Sequence, residues 1–312
     1  MNSTPTNSTV AAVVVTFNRK DLLCQCLDGI LAQSRPVNAL YVIDNASTDG
    51  TDQLIQERYA DSVKYIRMPE NVGGAGGFHH GMELAYHQGF EHIWIMDDDV
   101  RPEPNCLQSL VNASLNANVV APLHISLEGD VVDQNDVCGE ARVSLAEYVS
   151  RPGRIPESVG VGHVSFEGPL IHRSVVSAAG LPRQDFFTWG EDGEYSRRIL
   201  RLGLGPLHSV TAAKMVRLLP YTTSAQPAWR TYYQRRNGLF INRHYAGSLP
   251  RRLLVDLRFF LSWVRGIVRP RVLDGPANVK LVAWLDSFRD PMPTRYLPPR
   301  IKAKAETGSQ QG

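Results

Sequence analysis

Residues 92–99 read HIWIMDDD, a short apolar run that ends in three consecutive aspartates. Three comparable runs precede it, at Ala11–Phe17 (AAVVVTF), Ala39–Asp44 (ALYVID) and Val63–Met68 (VKYIRM). Segments with the apolar spacing of helices separate them, at Lys20–Gln33, Thr51–Tyr59 and Gly76–Gln88. This alternation predicts an α/β fold of βαβ units, with a mostly parallel sheet covered by helices on both faces.

The second half of the chain has a weaker pattern. Pro122–Pro182 is predicted to form loops and short strands, because its apolar pieces are brief and glycine is frequent. Helices are predicted at Asp192–Leu202, Ala228–Tyr245, Arg251–Val268 and Asn278–Phe288. We therefore expect a sheet domain over residues 10–225, a helical region over 226–298, and disordered ends at 1–9 and 299–312.

Composition excludes several classes of protein. The 312 residues are 43% hydrophobic and 21% charged, which is typical of a globular chain and not of a disordered one. No apolar run reaches the roughly 18 residues of a membrane-spanning helix. The N-terminus has no signal-peptide pattern, and the four cysteines form neither a disulfide framework nor a CxxC zinc motif. We expect a reduced, cytoplasmic protein.

The net charge of +2 is unevenly distributed. Residues 250–312 contain 12 basic and 5 acidic side chains, whereas the rest of the chain is net negative. Arg251–Val268 combines an apolar stripe with five surrounding arginines. Such a helix either lies in the interface of an anionic membrane or buries its stripe on the protein body or another subunit. Nucleic acid is not an expected partner, because no binding motif accompanies the charge.

Asp97, Asp98 and Asp99 carry the strongest chemical signal. Carboxylates crowded at the end of a buried strand repel one another, and a divalent cation such as Mg²⁺ or Mn²⁺ removes that conflict. In a parallel sheet, ligands bind beyond the carboxyl ends of the strands, where these acids fall. The alternative is a solvated acidic turn neutralised by Arg101.

Two further loops follow predicted strands. Asp44 opens DNASTDGT at residues 44–51, where it can accept hydrogen bonds from a ligand such as a base edge. The same loop is favourable for turns and helix caps, a function expected of Asp49 and Thr51. Asn71 opens NVGGAGG at residues 71–77, whose glycines would let backbone N–H groups approach a phosphate or a sugar.

The segment WGEDGEY at residues 189–195 precedes a predicted helix. Acidic residues in a first helical turn stabilise the helix dipole, and Glu194 and Arg198 are spaced to form an i,i+4 ion pair. The functional alternative is a general base held at the helix start, facing the reaction centre.

Taken together, these motifs resemble glycosyltransferase family 2, which has the GT-A fold, over roughly residues 10–245. The resemblance rests on VVVTFNR at 13–19, VIDNASTDGT at 42–51, NVGGAGGF at 71–78, the aspartates at 97–99 and Glu191-Asp192. Within the family, NVGGAGGF, MDDDVRPEP at 96–104 and Tyr233-x-x-Arg236-Asn237 look most like bacterial galactofuranosyltransferases. Rhamnosyltransferases of cell-envelope assembly are similar as well.

The resemblance implies an inverting transfer from a nucleotide-diphosphate sugar. Residues implied at the nucleotide and donor are Thr16, Asn18, Arg19, Asp44, Asn71, Gly73, Gly74 and Asp98. It also implies that Asp97 and Asp99 hold Mn²⁺ or Mg²⁺ and that Asp192 deprotonates the acceptor, with Glu191 as its neighbour. Trp189 would stack on the acceptor sugar. Relatives often act on lipid-linked acceptors at the cytoplasmic face of the membrane.

One departure from the family pattern concerns the metal. Relatives often carry a histidine ligand at the end of a strand after the base helix, where this chain offers Lys214. A lysine does not ligate a metal while protonated, but it can neutralise a diphosphate directly. The alternative is a surface lysine at a strand end.

Several functions remain open from the sequence. The donor is expected to be UDP-galactofuranose, with dTDP-rhamnose as the alternative. A nucleotidyltransferase would need a glycine-rich loop after the first strand, where this chain has Thr16-Phe17-Asn18-Arg19-Lys20. A degenerate transferase that serves as a membrane-bound scaffold is the non-enzymatic alternative, and a homo-oligomer is compatible with each.

Overall fold

The computed structural model of the chain describes residues 8–140, 142–153, 155–220, 227–268 and 277–292. The chain divides into two compact units. The first comprises residues 1–182 and 192–220, and the second comprises 183–191 and 221–312. Of the predicted disordered ends, residues 1–7 and 299–312 lie outside the described residues. Ser8 and Thr9 are ordered, because both hydrogen bond to His92.

In the described part of the chain, the first unit contains one nine-stranded sheet. Its strands are β1 (Val10–Thr16), β2 (Ala39–Asp44), β3 (Lys64–Arg67), β4 (His92–Asp97), β5 (Val100–Pro102), β6 (Val119–Ile125), β7 (Ser158–Val161), β8 (Leu170–His172) and β9 (Leu207–Arg217). The helices that follow or flank these strands are α1 (Lys20–Leu31), α2 (Thr51–Arg58), α3 (Gly73–His87), α4 (Cys106–Ala113), α5 (Leu145–Ser150), α6 (Arg173–Ala179) and α7 (Glu191–Arg201).

The strand order is β3-β2-β1-β4-β8-β6-β9-β5, and β7 also pairs with β9. β1 to β4 are parallel to their neighbours within this group, which confirms the predicted βαβ units. β8 and β5 are antiparallel to their neighbours, whereas β6 and β9 are parallel to each other. Because β1 and β4 lie side by side and end together, residues that follow them share one edge of the sheet.

Both faces of the sheet are covered, as β1 shows. Val13 and Val15 face one core layer, together with Phe78 of α3. Ala12 and Val14 face the opposite layer, which contains side chains of α1 and α4. This alternation follows from the two-residue period of a strand and explains why β1 is apolar throughout.

The glycine-rich segment is itself helical, which corrects the prediction of a helix that begins at Gly76. α3 begins at Gly73. A Cβ at Gly77 would come within 2.5 Å of Val15, and one at Gly81 within 2.2 Å of Val13. These two glycines therefore let α3 pack closely on β1, so part of the glycine signal reflects helix–sheet contact rather than a ligand.

The second unit contains α8 (Ala228–His244), α9 (Leu249–Val268) and α10 (Ala277–Asp286). Tyr232 and Tyr233 of α8 form a small core with Val279 and Ala283 of α10. Among the described residues, none of the helices has both the length and the apolar character needed to span a bilayer.

Candidate active site

The acid triad and the residues after β1 form one connected site. Thr16 Oγ1 donates a hydrogen bond of 2.7 Å to Asp98 Oδ2. Arg19 Nη1 lies 3.1 Å from Asp98 Oδ1 and 3.0 Å from Asp99 Oδ2. The residues that follow β1 and those that follow β4 thus meet, as the positions of the strand ends predict. Arg19, and not Arg101, pairs with the aspartates; Arg101 lies exposed in β5, opposite Val216.

Asp98 is only 3% exposed. Burial raises the pKa of Asp98 to about 6, and Asp99 adds to this effect, although Arg19 and Thr16 counteract it. Burial alone would lower the pKa of Arg19, but the charges of Asp98 and Asp99 raise it above its usual value. The site therefore has more negative charge than its own arginine compensates, and it favours a further cation.

The residues of the triad fit a divalent metal ion. Asp98 is buried, and its two carboxylate oxygens accept hydrogen bonds from Thr16 and Arg19. Asp97 and Asp99 are half-buried and therefore more accessible, and Arg19 also pairs with Asp99 Oδ2. Carboxylate oxygens are the ligands that Mg²⁺ and Mn²⁺ prefer. Asp97 and Asp99 are accordingly the members of the triad suited to hold a cation, with Asp98 fixed between them.

Asp44 lies at the end of β2 and is fully buried. Its Oδ1 accepts a hydrogen bond from Ser47 N at 2.9 Å, and its Oδ2 accepts from the Tyr65 hydroxyl and from Arg67 Nη1. Sequence reasoning missed Tyr65 and Arg67. Their signal lies in strand register, because Arg67 is directly opposite Asp44 and Tyr65 is two residues earlier on the same face. Contact of Asp44 with a base stays a prediction.

Asn18 connects the loops that follow β1 and β2. Its Oδ1 accepts from Thr48 N at 2.7 Å, and its own N–H donates to Ser47 Oγ at 2.9 Å. In the same loop, Asp49 Oδ1 accepts from the N–H and the hydroxyl of Thr51, the first residue of α2. Asp49 and Thr51 thus form a turn at the start of α2, whose N-cap is Gly50.

Asn71 shapes the start of α3. Its Oδ1 accepts from Gly73 N at 2.8 Å, and Asn45 Nδ2 donates to Gly73 O at 3.2 Å. Gly73 has φ +75°, a left-handed conformation that favours glycine. Gly74, the next residue, is half-buried. Contacts of Asn71, Gly73 and Gly74 with a donor stay predictions.

Asp192 is the second residue of α7 and is half-buried. Its Oδ1 accepts a 2.6 Å hydrogen bond from Gly193 N, and its Oδ2 lies 3.4 Å from His163 Nε2. No motif in the sequence indicated His163. The predicted ion pair between Glu194 and Arg198 is confirmed.

Trp189 and Glu191 belong to the second unit. Asn237 Nδ2 donates to the carbonyl oxygens of Phe186, Thr188 and Trp189, at 3.1, 2.9 and 2.6 Å. Trp189 has φ +72°, and its side chain is 45% exposed. The loop is thus fixed by a side chain nearly 50 residues away, and it presents an aromatic ring to solvent.

Lys214 does not lie at a strand end, which corrects the sequence prediction. β9 continues to Arg217, and Leu218 N donates to Asp99 O at 2.9 Å. The exposed Lys214 is four residues earlier, where its carbonyl oxygen pairs with Glu103 N. Four residues of strand span about 13 Å, so the register separates Lys214 from the acid triad. Arg217 occupies the last position of β9.

An α/β sheet with an acid triad at its strand ends and a helix that begins at a glycine-rich segment defines the GT-A class of glycosyltransferase fold. Solved structures share this fold. A crystal structure of GalNAc-T7 with UDP, GalNAc and Mn²⁺ matches with a TM-score of 0.59 at 14% identity, covering 91% of this chain and 55% of that one. A crystal structure of S. aureus TarS matches with a TM-score of 0.57 at 16% identity, covering 95% and 50% respectively.

The family model described as "Glycosyl transferase family 2" matches residues 11–135. Galactofuranosyltransferase GlfT1 of Mycolicibacterium smegmatis is 31% identical over 205 residues, which are 62% of this chain and 66% of that relative. The Mycobacterium tuberculosis protein of the same name is 32% identical over 207 residues, with the same coverage. The chain thus spans just under two thirds of these relatives. Residues 11–135 thus match glycosyl transferase family 2, and the chain is similar to galactofuranosyltransferases of that kind.

Proposed function

We propose that this chain is an inverting glycosyltransferase that moves galactofuranose from UDP-galactofuranose to a lipid-linked or polysaccharide acceptor of cell-envelope glycan assembly. The observation that carries the proposal is the acid triad, held by Thr16 and Arg19 beside the end of β1. The choice of sugar is supported by the similarity to galactofuranosyltransferases of two mycobacterial species. The match of residues 11–135 to the glycosyl transferase family 2 model supports the transfer reaction itself.

On the donor side, a divalent cation held by Asp97 and Asp99 would stabilise the charge that develops on the departing diphosphate. Arg19 adds a fixed positive charge beside the same acids, and its side chain is 41% exposed. Asp98 keeps Arg19 in place through its buried carboxylate. Further donor contacts are proposed for Asn18, Asp44, Asn71, Gly73 and Gly74.

On the acceptor side, Asp192 is the proposed general base. Its carboxylate takes the proton of the acceptor hydroxyl as the new glycosidic bond forms, and the electron pair of the broken bond leaves with the diphosphate. Attack from the face opposite the leaving group inverts the anomeric centre. Glu191 precedes the base in the chain, and the exposed ring of Trp189 is suited to stack on a sugar.

The base is tested by Asp192→Asn, with Asp61→Asn in an exposed loop as the matched control. We expect turnover with UDP-galactofuranose to fall by about 10²- to 10⁴-fold, because general base catalysis contributes that much. Binding of UDP should be unchanged, and the control should retain full turnover. Full turnover in Asp192→Asn would contradict the proposed base, and absence of transfer by the wild-type protein would favour the scaffold.

The donor is tested by thermal unfolding with UDP or dTDP, each with and without Mn²⁺. A nucleotide at about 100 times its dissociation constant stabilises the folded state by about 2.7 kcal/mol. We expect a rise in melting temperature with UDP that requires Mn²⁺ and is lost in Asp99→Asn. A larger rise with dTDP would replace galactofuranose by rhamnose as the proposed sugar. A rise that is independent of metal would contradict the assignment of Asp97 and Asp99.

We further propose that α9 contacts an anionic membrane surface. Its exposed apolar side chains include Leu253, Leu257, Leu261 and Val264. Four exposed arginines share the helix, namely Arg251, Arg252, Arg258 and Arg265. Apolar area and basic charge together are the combination that binds interfaces.

Co-sedimentation with vesicles tests this contact. We expect binding to vesicles that contain anionic lipid and weaker binding to neutral vesicles. The double variant Leu257→Ser/Leu261→Ser should reduce binding, whereas Leu127→Ser in an exposed loop should not. No vesicle binding, with concentration-dependent dimerisation in light scattering, would assign the face to a second subunit instead.

A further inference from the structure

His163 lies beside the proposed base, in the same compact unit. Its Nε2 is 3.4 Å from Asp192 Oδ2. The other oxygen of this carboxylate accepts from Gly193 N at 2.6 Å. Asp192 is therefore held on two sides, by the first turn of its own helix and by an imidazole from the segment after β7. Both side chains remain partly open to solvent.

The second ring nitrogen determines the protonation of His163. Nδ1 lies 2.9 Å from Asn135 Oδ1. An amide oxygen accepts hydrogen bonds and does not donate them, so Nδ1 must carry a proton. Nε2 can then donate to Asp192 only if the ring is doubly protonated, because the neutral ring would turn a lone pair toward the carboxylate.

The charged groups around the ring favour this imidazolium. Burial lowers the pKa of His163, but the hydrogen bond and the charge of Asp192 raise it above its usual value, and Asp133 adds to the rise. Arg197 opposes it. The balance is a raised pKa, so His163 carries charge at a higher pH than an isolated histidine.

Asn135 is itself anchored in the protein interior. Its N–H donates to Asp133 Oδ1 at 3.0 Å, and Asp133 Oδ2 lies 2.8 Å from His124 Nδ1. Asp133 and His124 are both buried. A connected series of hydrogen bonds thus runs from a buried ion pair through Asn135 to His163, whose Nε2 faces the carboxylate of Asp192. Such support restricts the positions that the carboxylate can occupy.

We propose that His163 is a positioning residue for Asp192, acting as an imidazolium that orients the carboxylate toward the acceptor hydroxyl. This inference rests on the proposed role of Asp192 as general base. His163 does not take the acceptor proton; that proton goes to Asp192. At a pH above the pKa of His163, the orienting N–H is absent, and turnover declines.

The test compares pH profiles of kcat for wild type, His163→Gln and His163→Phe, with His87→Gln as an exposed control. Glutamine supplies an N–H that does not titrate, so we expect it to retain turnover and to lose the decline at high pH. Phenylalanine supplies no N–H, and we expect kcat to fall by about 10- to 100-fold, because misplacing a catalytic group by about 1 Å has effects of this size. UDP binding, measured by melting temperature, should be unchanged in all variants.

The outcomes separate this inference from the proposed function. If Asp192→Asn is inactive while His163→Phe has wild-type kcat and pH profile, the positioning role is wrong and the base stands. If Asp192→Asn is active, the base is wrong, and the inference fails with it. If His163→Phe and His163→Gln lose turnover equally and keep the wild-type pH profile, the contribution of His163 is structural and the inference is overturned.

Discussion

The acid triad of the first unit and the 185–189 loop of the second unit are each held by an arginine, in opposite ways. Arg19 is partly exposed and binds carboxylates, one of which has a pKa raised by burial. Arg236 is fully buried and donates to the carbonyl oxygens of Asp185 and Phe186, at 2.7 and 3.0 Å. The first site still favours a cation, whereas the second is satisfied by the chain itself. Substitutions in the acid triad should therefore affect chemistry, and substitution of Arg236 should affect stability.

The largest expected effect comes from a substitution that disables the acid triad without unfolding the protein. Asp99→Asn removes one charge from the triad and weakens the ion pair with Arg19. We expect turnover with UDP-galactofuranose to fall by about 10²- to 10³-fold, as for the loss of one electrostatic contact to a developing charge. The melting temperature without ligand should change little, because the removed charge is surrounded by other acids. Glu57→Gln, exposed on α2, is the control.

If Asp99→Asn lowers the melting temperature of the ligand-free protein markedly, this division of roles is contradicted. Such a decrease would show that the triad stabilises the fold, and that its carboxylates are compensated within the chain. Measuring both quantities on one preparation distinguishes the two results.

The second region is tested by Arg236→Met, which keeps an apolar stem and removes the guanidinium. The Asp185 carbonyl oxygen and Asn237 Oδ1 then lose a donor, whereas the Phe186 carbonyl oxygen keeps Asn237 Nδ2. We expect the free energy of unfolding to fall by about 2–4 kcal/mol. Arg235→Met is a close control, because Arg235 is adjacent and exposed. Denaturant unfolding measures both. Equal effects of the two variants would show that Arg236 contributes no more than a surface charge.

The two regions also differ in what the sequence reveals. The triad, Thr16 and Arg19 were predictable, because each follows an apolar run and parallel strands β1 and β4 end together. Elements with clear periodicity, such as α1 and β2, appear within two residues of the predicted bounds. Local pattern is sufficient wherever neighbouring residues determine the structure.

The features that the sequence does not reveal depend on contacts between residues that are distant in sequence. Asn135 and His163 each lie in irregular segments, and only tertiary structure brings them to Asp192. Lys214 was misplaced because β9 continues for three residues beyond it, and its pairing with β5 and β6 determines that length. Arg236 and Asn237 belong to a motif that is visible in the sequence, but their contacts with residues 185–189 are not predictable from spacing.

His92, at the other end of β4 from the triad, sharpens the comparison because burial is the largest cause of its pKa shift. Burial lowers the pKa of His92 to about 4, and His172 contributes. Below about pH 6.5 the unfolded chain binds a proton here that the folded chain binds only near pH 4, so stability falls as pH falls. From about pH 7 to about pH 5 this group should remove about 2 kcal/mol of unfolding free energy. His92→Gln should flatten that slope, whereas His87→Gln should leave it unchanged.

The smallest expected effect concerns backbone strain in the second region. Trp189 has φ +72°, a conformation that disfavours side chains with a Cβ by about 1 kcal/mol relative to glycine. Trp189→Gly should therefore be more stable than Trp189→Ala by about that amount in denaturant unfolding. At Trp229, in the first turn of α8, the order should reverse, because alanine is the better helix former. Equal stabilities at position 189 would mean that this backbone conformation imposes no strain on a side chain there.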